Sequence, residues 1–274
     1  MRIVSWNCNG AFRKKFKSIT DKKFKDTTYT QADIYVIQEC EDPQEVDDEF
    51  KAYVDFAGEK DKDYFWVGNY KDKGLGIFNK SNAPLKEIEL NGNYEHFIAV
   101  EVGDSFNLLG VWAMDEDEDK GLSPYVEMIH DFWEDNKDNK ELFKRDLIIC
   151  GDFNSSSKFD DEHKSTDNDD KPKDHTHLHE KLCKAGLVSV YHYLTKEESG
   201  SESRHTFFQA RHLNVPFHLD YFYVKEDMIK EAKLLNIWNK RYYRDLPTTF
   251  EILDKRDWIN LSDHLPIVLK FEEK

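Results

Sequence analysis

Five short polar segments contain the residue types that hydrolysis of a phosphate ester requires. In chain order they are Trp6-Asn7, Gln38-Glu39, Gly151-Asp152-Phe153-Asn154, His218-Leu219-Asp220-Tyr221 and Ser262-Asp263-His264. The reaction needs an activated water, neutralised oxyanions and a stabilised leaving oxygen. A cation held by carboxylates, together with an Asp–Asn pair and an Asp–His pair, can supply all three. Any one segment could be a turn at a strand end, since Asn, Asp and Gly favour turns. Five of them in one chain favour a catalytic site.

Apolar runs rich in β-branched residues precede three of the segments and predict the elements that position them. The runs are Ile3-Val4, residues 34–37 (IYVI) and residues 147–150 (LIIC). Such runs bounded by polar residues are typical of buried strands. A polar side chain at a strand end is held rigidly by the sheet and still reaches solvent. The motifs therefore occupy positions suited to catalytic groups.

The order and separation of the segments resemble the endonuclease/exonuclease/phosphatase family, which includes exonuclease III-like and DNase I-like nucleases. The resemblance implies an α/β fold, the DNase I-like four-layer α/β/β/α sandwich, in which two packed mixed sheets are flanked by helices. No linker rich in Pro, Gly or Ser divides the sequence, so we expect one catalytic domain over residues 1–274. Hydrophobic periodicity predicts strands at 63–68, 74–79, 94–102 and 106–113, and helices at 122–136 and 176–185.

The resemblance implies a Mg²⁺ or Mn²⁺ ion held by Glu39, with Asp263 adding a ligand. Glu39 follows a buried apolar run, and a hard divalent cation prefers carboxylate oxygen. Two alternatives stay open: both carboxylates share one ion, or two ions bind.

The resemblance also implies catalytic roles for the remaining motif residues. Asp152 would activate or orient the attacking water, and Asn154 would hold a phosphate oxygen in the transition state. His264 would donate to a phosphate oxygen, and Asp220 would orient His264 and raise its pKa. Asn7 would orient ligands or the phosphate as a neutral donor and acceptor. Residues two apart on a strand point to the same side, so we expect Asp152 and Asn154 to reach one phosphate while Phe153 packs.

Two positions depart from the family pattern. Many family nucleases carry an acidic residue two positions after the first Asn, where this chain has Asn9. In family nucleases a His or Tyr often follows the central hairpin, here the predicted strands 94–102 and 106–113, and that position falls on Ala113. The group that assists the leaving oxygen is therefore unidentified. His218 could fill part of that role or could be a packed histidine, and His96 and His205 are weaker candidates.

Candidate substrate contacts come from residues beside the motifs. A basic cluster in residues 13–25 follows the first predicted strand and could bind phosphates, although a solvated helix face is an equal alternative. Residues 205–224 resemble the exonuclease III-like segment that precedes an active-site Asp, and their aromatics could stack on bases or pack in the core. A second basic-aromatic patch covers residues 238–244. The residues predicted to bind substrate are Asn9, Arg13, Lys14, Lys15, Arg211, His218 and Arg241.

The composition limits the partners. A net charge of −16 lowers the expectation of an extended nucleic-acid footprint, because such binding is largely phosphate neutralisation by Lys and Arg. No apolar run approaches the roughly 20 residues of a membrane span, and no signal-peptide pattern opens the chain. The four cysteines form no CxxC pair, which favours reduced thiols and a cytoplasmic protein. The family resemblance implies a monomer.

Three functional hypotheses follow. The leading one is a divalent-metal-dependent nuclease acting on DNA or RNA, favoured by the exonuclease III-like segment and the basic-aromatic patches. The alternative is a phosphatase or phosphodiesterase on a small phosphate ester, such as a nucleotide or a phosphoinositide-like molecule, favoured by the acidic net charge. The third, a binding module without catalysis, is disfavoured by the complete set of motif residues.

Overall fold

Strands and short helices alternate irregularly along the chain. The computed structural model describes residues 1–21, 24, 27–114, 123–162, 172–236, 239, 243 and 245–272. The strands are β1 (Arg2–Asn7), β2 (Ile34–Cys40), β3 (Tyr64–Tyr70), β4 (Lys73–Asn79), β5 (Leu85–Glu87), β6 (Phe97–Val102), β7 (Phe106–Trp112), β8 (Asp146–Asp152), β9 (Leu187–Ser189), β10 (Phe207–Phe208), β11 (Pro216–Phe217), β12 (Asp220–Lys225), β13 (Lys233–Leu235), β14 (Thr249–Ile252) and β15 (Ile267–Lys270). The α-helices are α1 (Phe12–Thr20), α2 (Thr27–Thr30), α3 (Lys51–Ala57), α4 (Ser123–Asn136), α5 (His175–Lys184), α6 (Val190–Thr195) and α7 (Arg256–Leu261).

Two mixed sheets contain most of the strands that the structure describes. The first has seven strands in the order β13-β14-β15-β1-β2-β4-β3, and the second has six in the order β5-β6-β7-β8-β12-β9. In the first, β1 runs parallel to β2 and antiparallel to β15. In the second, β8 runs parallel to β7 and antiparallel to β12. The strands predicted at 63–68 and 74–79 correspond to the antiparallel pair β3–β4, and those predicted at 94–102 and 106–113 correspond to the antiparallel pair β6–β7.

The two sheets pack face to face, and alternate side chains of β7 pack on the inner and outer faces of the second sheet. Phe106, Leu108 and Trp112 point into the core that the sheets share, whereas Leu109 and Val111 point to the opposite side. Gly110 permits close packing of the sheets, because a β-carbon there would lie 3.1 Å from a methyl group of Val36 in β2.

Helices cover both outer faces. Apolar side chains of α4 and α5 pack on the outer face of the second sheet, among them Val126, Ile129, Phe132, Leu178 and Leu182. On the first sheet, Trp6 makes edge contacts with Phe12 of α1 and Trp258 of α7. Burying each such side chain contributes about 1.5–3 kcal/mol. The predicted α/β/β/α sandwich is therefore confirmed, and the helices predicted at 122–136 and 176–185 correspond to α4 and α5, residue 122 lying outside the described part.

Residues of both sheets share one core, which supports a single unit. Val36 and Ile77 of the first sheet and Leu108, Ile148 and Phe222 of the second belong to the same buried cluster. One domain over residues 1–274 stays a prediction that this shared core supports. In the described ranges, no helix has both the length and the apolar character that crossing a membrane would require.

Candidate active site

Strand ends bring three of the predicted residues to one edge of the sandwich. Asn7 is the last residue of β1, Asp152 is the last residue of β8, and Asp220 is the first residue of β12. Because β8 and β12 are antiparallel, Asp220 lies directly opposite Asp152. Gly151 has a φ of 152°, and a β-carbon there would lie 1.8 Å from the carbonyl oxygen of Val111. Only glycine fits beside β7 at this point.

Asp152, Asp220 and His264 form a buried triad. His264 Nδ1 lies 3.0 Å from an oxygen of Asp220, and Nε2 lies 3.8 Å from an oxygen of Asp152. The two carboxylates have no exposed surface, and His264 is 4% exposed. One ligand-type atom from each of the three lies within 4.8 Å of the others. The aspartates thus flank the imidazole on both of its nitrogens.

Burial and charge shift the pKa values of this triad. Burial raises the pKa of Asp152 to about 7, against the opposing charge of His264. Burial alone would lower the pKa of His264, but the carboxylates of Asp220 and Asp152 outweigh it and raise that pKa to about 10. The histidine is therefore a cation at neutral pH, and Asp152 exchanges its proton near neutral pH, as suits a general base. The charge of Asp220 raises the pKa of His264, the direction that was predicted, and the catalytic role of this pair stays a prediction.

Asn7 joins this triad to Glu39. Its side-chain nitrogen donates to Asp152 over 2.8 Å and to Glu39 over 3.1 Å. Glu39 lies at a β-bulge between Gln38 and Cys40 and has a φ of 61°. A bulge redirects a side chain that strict alternation would point elsewhere. It brings the Glu39 carboxylate, with 16% of the side chain exposed, beside the buried triad.

Asp263 lies on the rim and is tied to Asn9. The side-chain amide of Asn9 donates to Asp263 over 2.6 Å. Next to it, the Ser262 hydroxyl donates to the carbonyl of Asn7 over 2.8 Å and accepts from the backbone N–H of His264. The final motif is therefore fixed to the end of β1. At position 9 an amide can donate to Asp263, where a second carboxylate could not.

Asn154 reaches the site by a different route from the predicted one. Strand β8 ends at Asp152, and Asn154 has a φ of 44°, so strand alternation does not orient it. Its backbone N–H donates to Asp152 over 2.9 Å, and its side-chain nitrogen donates to the Ala113 carbonyl over 2.7 Å. Phe153 is fully buried, as predicted, against Tyr221. The turn after β8, and not the strand, places the backbone N–H of Asn154 against Asp152 and its side-chain amide against the Ala113 carbonyl.

Comparison with protein-family models matches residues 4–264 to the Endonuclease/Exonuclease/phosphatase family. The chain belongs to this family. Its members are phosphoric ester hydrolases, and the predicted enzyme class is confirmed at that level. A search of curated proteins found no match.

Solved structures agree with the family fold. An AP endonuclease from Archaeoglobus fulgidus has a TM-score of 0.62 at 14% identity, with 99% of each chain covered. A 3′ phosphatase from Neisseria bound to a product DNA hairpin has a TM-score of 0.60 at 16% identity, again with 99% of each chain covered. A 3′-5′ exonuclease from Neisseria meningitidis has a TM-score of 0.56 at 16% identity, covering 99% of this chain and 100% of that one.

Within the family fold, several predicted substrate residues are engaged in internal contacts. Arg13 pairs with Glu41 at 3.5 Å and lies over the Phe50 ring, and Lys15 donates to the carbonyls of Cys8 and Asn9. Burial lowers the pKa of Lys15. The side chains of Lys14 and Arg211 are exposed, and Arg241 lies outside the described residues, as do Lys22, Lys23 and Lys25 and most of the patch 238–244. Substrate binding by these residues stays a prediction.

His218 is buried rather than presented to a substrate. It is 1% exposed, its Nδ1 lies 3.0 Å from the Arg204 carbonyl oxygen, and its ring lies 4.4 Å from that of Tyr191. Ala113 is also buried, and its carbonyl receives Asn154. The position where the family often has a His or Tyr therefore offers a packed methyl group and a backbone carbonyl, and no polar side-chain atom.

Two functional contacts were missed from the sequence. The Lys73 ammonium lies 3.2 Å from Glu39, and the buried Thr206 hydroxyl accepts from the backbone N–H groups of Leu219 and Asp220, each over 3.0 Å. Lys73 follows a turn and belongs to no motif. Thr206 lies within residues 205–224, where attention went to the aromatic residues and not to the hydroxyl.

Proposed function

We propose that the protein hydrolyses phosphodiester bonds of nucleic acid in a reaction that depends on a divalent cation. One observation carries the proposal: the Asn7 amide links Glu39 to Asp152, which in turn neighbours His264. A carboxylate suited to a cation, a general base and a cationic donor are thus adjacent at one site.

The residues present fit a divalent cation such as Mg²⁺ or Mn²⁺. Glu39 would hold it, with Asp263 on the rim, because these two carboxylates offer oxygen atoms near solvent, and the buried Asn7 would orient Glu39. Asp220 also has a buried carboxylate oxygen, Oδ1, that has no hydrogen-bond partner among the described residues. The buried triad is the less suitable first contact, since its histidine is protonated and a cationic imidazole does not ligate a metal. When bound, the ion would neutralise phosphate charge as a Lewis acid.

The side chains then divide the reaction between them. Asp152, with a pKa of about 7, takes a proton from the attacking water. Protonated His264, oriented by Asp220, donates from Nε2 to a phosphate oxygen as negative charge develops. Asn7 fixes the relative positions of Glu39 and Asp152, and the second N–H of the Asn154 amide is suited to a phosphate oxygen.

Nucleic acid is the preferred substrate class. The three similar structures are named as an AP endonuclease, a 3′ phosphatase with a DNA hairpin and a 3′-5′ exonuclease. The second candidate is a small phosphate ester, and the net charge of −16 favours it because a strongly acidic chain repels a long polyanion. A monomeric, cytoplasmic enzyme stays a prediction.

The test is a substrate survey with variants of the triad. Purified protein is incubated with Mg²⁺ or Mn²⁺ and labelled single-stranded, double-stranded, abasic and RNA oligonucleotides, and with a panel of small phosphate esters. We expect oligonucleotide cleavage that EDTA abolishes and that Asp152→Asn and His264→Ala each lower by at least about 10³-fold. Asp146→Asn is the matched control. Asp146 is the first residue of β8, at the opposite end of the strand from Asp152, and it pairs there with Lys225 of β12.

The outcomes separate the candidates. Cleavage that persists in EDTA or in Asp152→Asn contradicts the proposed mechanism. Release of phosphate from small esters, without cleavage of any oligonucleotide, replaces the nuclease with the second candidate. A nuclease should also lose activity steeply as salt rises, whereas a small-ester hydrolase should not.

A further inference from the structure

The ammonium group of Lys73 forms an ion pair with one oxygen of the Glu39 carboxylate. Lys73 is the first residue of β4, directly after the turn from β3, and its ammonium lies 3.2 Å from Glu39 Oε2. The other oxygen, Oε1, accepts from Asn7 over 3.1 Å. Both Glu39 oxygens are therefore engaged, one by the site's own amide and one by a cation from a neighbouring strand.

The same ammonium also contacts the opposite sheet. It lies 5.7 Å from the ring centroid of Trp112, which ends β7 and pairs in register with Asp152. Glu39 belongs to the first sheet and Trp112 to the second. An ammonium over a tryptophan face is favourable by about 0.5–1 kcal/mol at exposed sites. Lys73 therefore bridges the two sheets at the edge where the catalytic residues meet.

The ion pair between Lys71 and Glu45, in the same turn, is a more exposed reference for the pair between Lys73 and Glu39. Lys71 lies 3.9 Å from Glu45, and these two side chains are 71% and 54% exposed. Lys73 and Glu39 are 39% and 16% exposed, and they are closer together. Exposed pairs contribute about 0–1 kcal/mol, whereas a charge removed from water interacts more strongly with its neighbours.

We propose that Lys73 competes with the divalent cation for Glu39 and, once displaced, positions a phosphate group of the substrate. This inference rests on the proposed function. A cation that reaches Glu39 from solvent meets the ammonium first, and two like charges cannot share one carboxylate oxygen at that distance without a large cost. The displaced ammonium keeps the Trp112 face as a second contact, so it stays beside Asp152. Ala113 has no side-chain donor at the position where family nucleases often have a His or Tyr. Lys73 brings a donor to the same edge from strand β4.

Binding of Mn²⁺ alone tests the first half without turnover. Free Mn²⁺ is followed by electron paramagnetic resonance in titrations of the wild type and of Lys73→Met, Lys73→Arg, Lys71→Met and Glu39→Gln. Removing one adjacent positive charge should tighten Mn²⁺ binding about tenfold in Lys73→Met. Lys73→Arg should stay near the wild type, as should Lys71→Met, which removes the same charge from the same turn. Equal affinity in Lys73→Met and the wild type would overturn the competition.

Glu39→Gln separates this inference from the proposed function. Loss of Mn²⁺ binding in that variant supports Glu39 as the ligand, and the comparison with Lys73→Met then stands by itself. If Glu39→Gln binds Mn²⁺ as the wild type does, the proposed cation site is wrong, and the competition falls with it.

Steady-state kinetics with a labelled DNA oligonucleotide test the second half. At saturating Mn²⁺, Lys73→Met should raise KM about tenfold and change kcat by less than about threefold, because a contact made equally in ground and transition states affects binding alone. Lys73→Arg should restore most of the loss, and Lys71→Met should change neither constant. An unchanged KM in Lys73→Met would remove the substrate role.

Discussion

Two buried histidines on either side of Asp220 have opposite electrostatic properties. His218 is 1% exposed and His264 is 4% exposed, so burial does not distinguish them. Burial lowers the pKa of His218 to about 4, and the opposing hydrogen bond to the Arg204 carbonyl does not offset the cost of burying the charge. For His264 the carboxylates of Asp220 and Asp152 reverse the effect of burial and raise the pKa to about 10. Contact with carboxylates, and not depth, makes one imidazole a cation and leaves the other neutral.

This contrast separates a chemical role from a structural one. His218 is two residues from Asp220 in sequence, whereas His264 is distant in sequence and bonded to it. Closeness along the chain is therefore a poor guide to membership of the site. In the proposed reaction, the hydrogen bond between the His264 imidazole and the Asp220 carboxylate is the feature that distinguishes the two histidines.

The largest expected effect comes from cutting that hydrogen bond. Asp220→Asn removes the charge that holds His264 protonated and oriented, so we expect kcat to fall by about 10³–10⁴-fold. His218→Phe should change kcat by less than about threefold. Steady-state kinetics on the oligonucleotide substrate measure both. An equal loss in the two variants would show that the contrast between the histidines is wrong.

A smaller effect is expected on the free energy of unfolding, to which His218 should contribute by filling space in the core. His218→Ala leaves a cavity against Tyr191, and we expect the free energy of unfolding to fall by about 2–4 kcal/mol. His218→Phe should cost less, about 1–2 kcal/mol, since a ring of similar shape fills the space and the loss is confined to the hydrogen bond between Nδ1 and the Arg204 carbonyl. Urea unfolding at pH 7.5 gives both values. Similar losses in the two variants would mean that a polar contact of His218, and not its volume, stabilises the fold.

The smallest expected effect is a difference in acid sensitivity. The pKa of His218 is about 4 in the folded protein, against the ordinary value of 6.5 that applies to the unfolded chain. Between pH 4 and 6.5, His218 is therefore protonated in the unfolded chain and neutral in the folded protein. Its contribution to stability is complete above about pH 6.5 and is lost as the pH falls toward 4. Wild-type stability should therefore fall more steeply than that of His218→Phe, by up to about 1.4 kcal/mol per pH unit. Parallel curves from urea unfolding between pH 7 and 4 would contradict this.

The sequence predicted the elements that end at the site. Apolar runs before Asn7, Glu39 and Asp152 are strands β1, β2 and β8. Periodicity predicts a strand wherever one face is buried, and a motif at its end then has a fixed place. The four-layer sandwich followed from the family resemblance together with the confirmed hairpins.

Contacts between distant segments were not predictable. Lys73 meets Glu39 because a bulge gives Glu39 a φ of 61°, and a conformation of this kind leaves no mark in hydrophobic periodicity. Arg13 and Lys15 were predicted either to bind phosphates or to lie on a solvated helix face, and in the structure Glu41 and the carbonyls of the β1–α1 loop engage them. Basic residues in a sequence show available charge, while the tertiary structure decides what neutralises it.

The bond between Ser262 and Asn7 has a consequence for the timing of biosynthesis. The two residues are 255 positions apart, yet the hydroxyl of one donates to the backbone of the other. At roughly 5–20 residues per second, a ribosome needs about 13–50 s to travel from the first to the second. During that interval the nascent chain has Asn7, Glu39 and then Asp152, but not the histidine that completes the triad. A nascent chain that has not been translated as far as His264 therefore lacks the complete triad.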